Sequence, residues 1–146
     1  MDVKVEIKGL SELETALRDA GPKLAKRAMR KALMAGGQVF ENAAKAKAPV
    51  LKEGTPQRRP GELRDSIDTN VKLSPKEDKG VAHVGPKTEK GKGSEQPGVY
   101  GMFVEFGSIH GAAQPYMRPS FDEVGMQAQE AFAEQLRDGL EALRKK

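Results

Sequence analysis

The stretch "VEFGSIHGAAQPYMRPSF", Val104 to Phe121, decides how the chain is read. It sets aromatics among glycines, places two prolines four residues apart, and holds one acid, Glu105, inside an apolar run. Five of the seven aromatics lie between Tyr100 and Phe121: Tyr100, Phe103, Phe106, Tyr116 and Phe121. Aromatic rings carry a large share of buried area, so this span is the hydrophobic keystone. Tyr100, Phe103, Val104 and Gly107 fit helical turns, while Tyr100, Met102, Val104 and Phe106 fit an alternating strand. Periodicity leaves both open. Gly107 and Gly111 supply freedom to turn, and Pro115 and Pro119 fix the exit direction. The stretch therefore reads as a corner between two elements.

Downstream, Ser120-Phe121-Asp122-Glu123 reads as a capping box just after Pro119. Phe121, Val124, Ala128, Phe132, Leu136, Leu140 and Leu143 then recur at helical spacing to the end. Acids at the start and Arg144-Lys145-Lys146 at the finish complement the helix dipole. Far upstream, a second long helix is expected from Pro22 to Lys47. Gly21-Pro22 opens it and Ala48-Pro49 stops it. Its apolar stripe, Leu24, Ala28, Ala32, Ala35, Val39, Ala43 and Ala46, is mostly alanine, with Gly36-Gly37 in the middle. Such small residues let another helix or a sheet approach closely.

Shorter elements fill the gaps. Val3, Val5 and Ile7 alternate with polar residues as in a half-buried strand, and Ser11 to Glu14 reads as a capping box for a short helix to about Ala20. Ile67, Thr69, Val71 and Leu73 predict a strand. Val81 and Val84 follow less cleanly, across a spacer that suits a hairpin. Residues 50–60 are expected to form an exposed flexible loop. Residues 86–98 hold no apolar side chain between their two outer prolines, so they are expected to form a mobile loop or arm.

The composition narrows the classes of function. The chain has 146 residues, 37% of them apolar, 5% aromatic and 32% charged. It is expected to be one domain, residues 1–146, with a modest core finished by solvated arms or by copies of itself. Cysteine is absent, which excludes disulfides, thiolate metal sites and a cysteine nucleophile. The first residues contain no hydrophobic signal core and no run is long enough to cross a bilayer, so a soluble protein is expected. The formal charge of +4 is uneven. Residues 1–60 carry thirteen Lys/Arg against seven Asp/Glu, residues 61–98 seven of each, and residues 99–146 five against seven. That polarity suits head-to-tail contact between subunits, or weak attraction to nucleic acid. Lys23, Lys26, Arg27, Arg30 and Lys31 crowd the first half of the long helix, as an anion-binding face or a merely solvated one.

Catalytic constellations are scarce. His83 and His110 have no acidic partner at metal-ligand spacing, and the six serines include no nucleophile elbow. The glycine-rich GKGSEQPG is not followed by a phosphate-cradling helix start, and Asp65 and Asp68 lack a pocket. Glu105 is the best catalytic candidate, because burial beside Phe103, Val104 and Phe106 would raise its pKa. The plainer account ties it to Arg64 or Arg118. No cofactor or metal is expected.

The succession "APV…GELRDSI…VAHVGP…YGMFVEFGS…AAQPYMRPSF" resembles the head–tail joining, or tail-completion, proteins of long-tailed phages. The resemblance rests on Gly61, Leu63 and Ser66, on Gly85, on Tyr100 with Val104-Glu105-Phe106-Gly107, and on Gln114-Pro115-Tyr116 with Pro119. The segment Val50–Pro60 is longer than is usual there, and Ser108 stands where a Thr is common. The resemblance implies an α+β fold: a small, mostly antiparallel sheet packed against the long alanine-rich helix and the C-terminal helix, with a mobile loop or hairpin arm. It implies a non-enzymatic structural protein that assembles as a ring, commonly sixfold, in the head–tail connector or tail end. The expected partners are copies of itself and neighbouring neck or tail-terminator proteins. DNA would pass nearby without sequence-specific binding, and no membrane is involved. Assembly in the host cytoplasm, then residence in the virion, is implied. Arg58, Arg59, Lys87, Lys90 and Lys92 are candidate subunit or partner contacts. The alternative is a nucleic-acid-binding protein using the basic helix around residues 23–31.

Overall fold

The computed structural model describes residues 15, 18, 19, 21–74, 79–89 and 93–145. The strand expected at 3–7 and the capping box at 11–14 lie outside these, as do Lys90 and Lys92. The architecture is α+β. In chain order come helix α1 (Pro22–Lys47), helix α2 (Glu62–Ser66), strand β1 (Ile67–Leu73), strand β2 (Gly80–Pro86), helix α3 (Pro97–Phe106) and helix α4 (Met117–Arg144).

Helix α1 organises the rest. Gly21 enters it with φ 80°, Pro22 occupies its first turn, and the Ala48 amide closes its end on the Ala44 carbonyl. Its two middle glycines face different partners. A Cβ on Gly36 would stand 3.0 Å from the Ala128 carbonyl oxygen of α4. A Cβ on Gly37 would run into the methyl of Thr69 on β1. At the other end of the crossing, a Cβ on Gly139 would lie 3.4 Å from that of Ala28, so α1 and α4 run antiparallel. The expected alanine stripe is accordingly corrected. Ala28, Ala32, Gly36, Gly37 and Ala44 are buried, whereas Leu24 and Ala46 at the stripe's ends are exposed. A helix packed on two sides buries two stripes rather than one.

Strands β1 and β2 pair antiparallel, Ile67 opposite Pro86 through Leu73 opposite Gly80. Ile67, Thr69 and Val71 are buried, and the alternate residues Asn70 and Lys72 are exposed, as a one-sided sheet requires. Glu41 of α1 accepts from the Thr69 hydroxyl at 2.8 Å and from Lys45 at 2.6 Å, while Arg30 donates to the Val71 carbonyl at 3.2 Å.

The core has two centres. Ala28 and Ala32 pack with Leu136 and Leu140, joined by Phe132 and Leu143. Ala44, Ala48, Leu63, Ile67, Tyr100 and Tyr116 form the other, and it contains the aromatic keystone. Phe121, expected in the apolar stripe of α4, is largely exposed, with its ring stacked on Phe40 at 4.9 Å.

Residues 50–60 form the exposed loop, closed by reciprocal backbone bonds between Thr55 and Arg58. The expected arm is shorter than its sequence suggested. Pro86 ends β2, and Pro97 and Gly98 begin α3, held by the Gly98 amide on the Lys87 carbonyl at 3.0 Å.

Candidate functional site

The stretch from Tyr100 to Phe121 is a helix, a corner and a second helix. Of the two periodicities open in the sequence, the helical one holds: Tyr100 and Gly101 are buried in α3 with Glu105 one turn later. Gly101 is required there, because a Cβ would meet the Tyr116 hydroxyl at 2.9 Å and Leu63 at 3.0 Å. Gly107 ends α3 at φ 81°, with Ala113 close against it. Reciprocal bonds between Ser108 and Gly111 reverse the chain, and the Gln114 amide returns to the Val104 carbonyl at 2.8 Å. This delivers Tyr116 to Glu105.

Glu105 is 4% exposed and serves as a remote cap for α4. Its carboxylate accepts the backbone amides of Tyr116 at 2.7 Å, Met117 at 2.9 Å and Arg118 at 3.0 Å, with the Arg118 Nε at 3.1 Å. The first amides of a helix have no intrahelical partner, and they meet the positive end of its dipole. Pro119, the next residue, has no N–H, so the first turn of α4 is fully satisfied. The Ser120 capping box is corrected by this finding. The helix starts at Met117, and Ser120, buried in its first turn, donates instead to the Tyr116 carbonyl.

The carboxyl environment settles its chemistry. Burial pushes the Glu105 pKa up, but the amides of Met117, Tyr116 and Arg118 and the Arg118 guanidinium outweigh it, and the net shift is downward. The elevation expected for a proton donor is therefore overturned. Of the two arginines offered as its partner, Arg118 takes the role, and Arg64 pairs with Asp65. Arg118 also lies over the Phe106 ring at 4.8 Å, shielding one side of a ring that is 65% exposed.

Beside the corner lies an open groove of about 810 Å³, lined by Val50, Leu51, Arg58, Phe103, Ile109 and His110 among others. Arg58 stacks on the Tyr100 ring at 4.3 Å and reaches Glu95 at 3.7 Å. The Tyr100 hydroxyl donates to Glu62 at 3.3 Å, and burial together with that carboxylate pushes its pKa up to about 12. A phenol so placed is a poor acid at neutral pH. Ser108 Oγ accepts the backbone amide of His110 at 3.1 Å. Among the described residues, no hydrogen bond joins the His110 ring to it. His83 is exposed on β2, opposite Asn70. No three His, Asp or Glu gather as a metal cluster among the described residues. No described helix is long and apolar enough to cross a membrane.

The other singled-out residues are dispersed. Gly61, at φ 78°, opens α2, Leu63 enters the core, and Ser66 Oγ donates back to the Leu63 carbonyl at 2.7 Å. Gly85 lies opposite Asp68 with open space above it, and Gln114 and Pro115 are exposed. Arg59 pairs with Asp65 at 2.9 Å and Lys87 with Asp68 at 3.1 Å, yet Arg59 and Lys87 stay about two-thirds exposed. Sequence reasoning missed the apolar rim. Ile109 is 96% exposed and Phe103 54%. An isoleucine inside a glycine-rich turn was the available signal.

A family model described as "HK97-gp10_like: Bacteriophage HK97-gp10, putative tail-component" matches residues 11–107, two-thirds of the chain. No curated protein and no solved structure matches it.

Proposed function

We propose that this chain, which belongs to the HK97-gp10-like family of bacteriophage tail components, is a non-enzymatic part of the ring that joins tail to head. The family membership makes it a tail-related structural component of the virion. The finer reading rests on one observation. The one buried acid in the keystone, Glu105, has its oxygens taken by three backbone amides and Arg118, so the corner is architecture rather than a reactive site.

Around that rigid corner, Val50, Leu51, Phe103, Phe106 and Ile109 expose large apolar surface. Exposed apolar groups gathered beside a groove favour contact with another protein. The chain acts as one domain, residues 1–146, within a closed ring of copies. Its 50–60 loop and its 87–96 arm, with Arg58, Arg59, Lys87, Lys90 and Lys92, meet a neighbouring subunit or the adjoining neck protein. Subunits are made in the host cytoplasm and remain in the particle.

The test is an amber mutation in the gene, scored by electron microscopy of the lysate. Filled heads and separate tails, rejoined when the chain is supplied in trans, are expected. Joined, infectious particles without the chain would overturn the role.

A further inference from the structure

The outward faces of the two long helices carry opposite net charge. From Pro22 to Phe40, α1 contains Lys23, Lys26, Arg27, Arg30 and Lys31 and no acid at all. All five are exposed. They fall three or four apart, so they share one side of the helix, away from the buried Ala28 and Ala32. On α4, Glu130, Glu134, Asp138 and Glu141 follow the same spacing and are all exposed, with Arg137 the one base among them, opposite the buried Ala128, Leu136 and Leu140. Arg30 is occupied by the Val71 carbonyl, and Glu123, further along α4, pairs with Lys47. The other four bases and four acids make no ion pair or hydrogen bond among the described residues.

We infer that the basic face of α1 docks on the acidic face of α4 of a second copy of this chain. At 1.5 Å per residue the basic run covers about 12 Å and the acidic run about 17 Å, so one can lie along the other. A duplex nucleic acid would match the basic face alone and leave the acidic one unexplained. A second copy accounts for both, since each face meets charge of the opposite sign. The two faces are different surfaces of one subunit, so the contact is heterologous: each copy offers both halves, and repetition closes a ring or extends a filament. Complementary charge of this kind sets register and partner choice more than raw affinity. The inference rests on the assembly role proposed above and names the surfaces that would carry it.

Two double reversals test it, Lys26→Glu with Arg27→Glu, and Glu134→Lys with Asp138→Lys. All four positions are exposed, and circular dichroism checks that each variant folds. Molecular mass is measured by light scattering on the full chain at about 20 mM and about 500 mM salt, where screening lengths differ several-fold. The wild type is expected to associate at low salt and dissociate at high salt. Each variant alone should associate at least about tenfold more weakly, and an equimolar mixture of the two should assemble again because opposite faces meet once more. A wild type that stays monomeric at millimolar concentration in low salt would overturn the inference. So would variants that associate as the wild type does, or a mixture that stays apart. A labelled DNA duplex that loses affinity only with the α1 variant, while mass is unchanged throughout, would transfer the basic face to nucleic acid and overturn it equally. Rescue of an amber phage by both variants would sink this interface and leave the joining role standing.

Discussion

Replacing Glu105 tests the corner most sharply. Its carboxylate receives three amides and one guanidinium N–H. A hydrogen bond to a charged group contributes about 1.5–3 kcal/mol, and a buried donor left unpaired costs about 1–3 kcal/mol. Only the Tyr116 amide is fully buried; Arg118 lies at the surface, where water replaces part of what is lost. Glu105→Ala should therefore destabilise by about 3–5 kcal/mol, a large share of the roughly 5–15 kcal/mol that holds a domain together. Glu105→Gln keeps one acceptor oxygen and should cost about half as much. With a urea slope of about 2 kcal/mol per molar, the alanine variant should unfold about 2 M earlier by circular dichroism. The carboxyl sits below its ordinary value of 4.5 in the folded chain. Its contribution is thus complete above that value and fades as pH falls through the folded value, because the unfolded chain takes up the proton first. The gap between wild type and Glu105→Gln should narrow steadily below pH 4.5. An alanine variant within about 0.5 kcal/mol of wild type, or a gap indifferent to acid, would refute the capping role.

Other outcomes follow from the packing. The chain has two tyrosines and no tryptophan, so absorbance near 295 nm reports Tyr100 and Tyr116 alone. Burial and a neighbouring carboxylate push both to about 12. Stability from them is complete below the ordinary value of 10 and lost as pH rises towards 12, so ionisation should coincide with alkaline unfolding. A titration centred near 10 in the folded protein would contradict their burial. Gly37→Ala drives a methyl into Thr69 at the α1–β1 crossing and should lower stability by about 1–3 kcal/mol in thermal melts, whereas an unchanged melt would mean the crossing gives way. Ile109→Ser, on a side chain 96% exposed, should leave melting unchanged while reducing rescue of an amber phage; full rescue would remove the rim from the contact surface.

Much of the fold was legible because its signals are local. The first long helix ends where Gly21-Pro22 and Ala48-Pro49 say it should, and the alternation at Ile67, Thr69 and Val71 survives as the buried face of β1. What escaped depends on distant partners. Ser120-x-x-Glu123 imitates a local cap, but the amides of α4 are claimed by a carboxylate more than ten residues upstream, which no nearby pattern encodes. The span Tyr100–Phe106 satisfies two periodicities, and only the close packing of Gly101 against Tyr116 and Leu63 chooses the helix. The small residues around Gly36-Gly37 announced a close neighbour, a helix or a sheet; that α1 takes both, α4 at Gly36 and β1 at Gly37, depends on partners distant in the chain. At the candidate site, Glu105 and Arg118 could be named from sequence, but the groove could not. Val50, Phe103 and Ile109 belong to segments that converge only in three dimensions.

The most direct measurement is the position of the chain in finished particles. Carry a gold-binding tag after Lys146 on a complementing copy, purify the phage, and image it. The account predicts gold clustered at the junction of head and tail. Particles that are complete yet carry no tagged chain would contradict it.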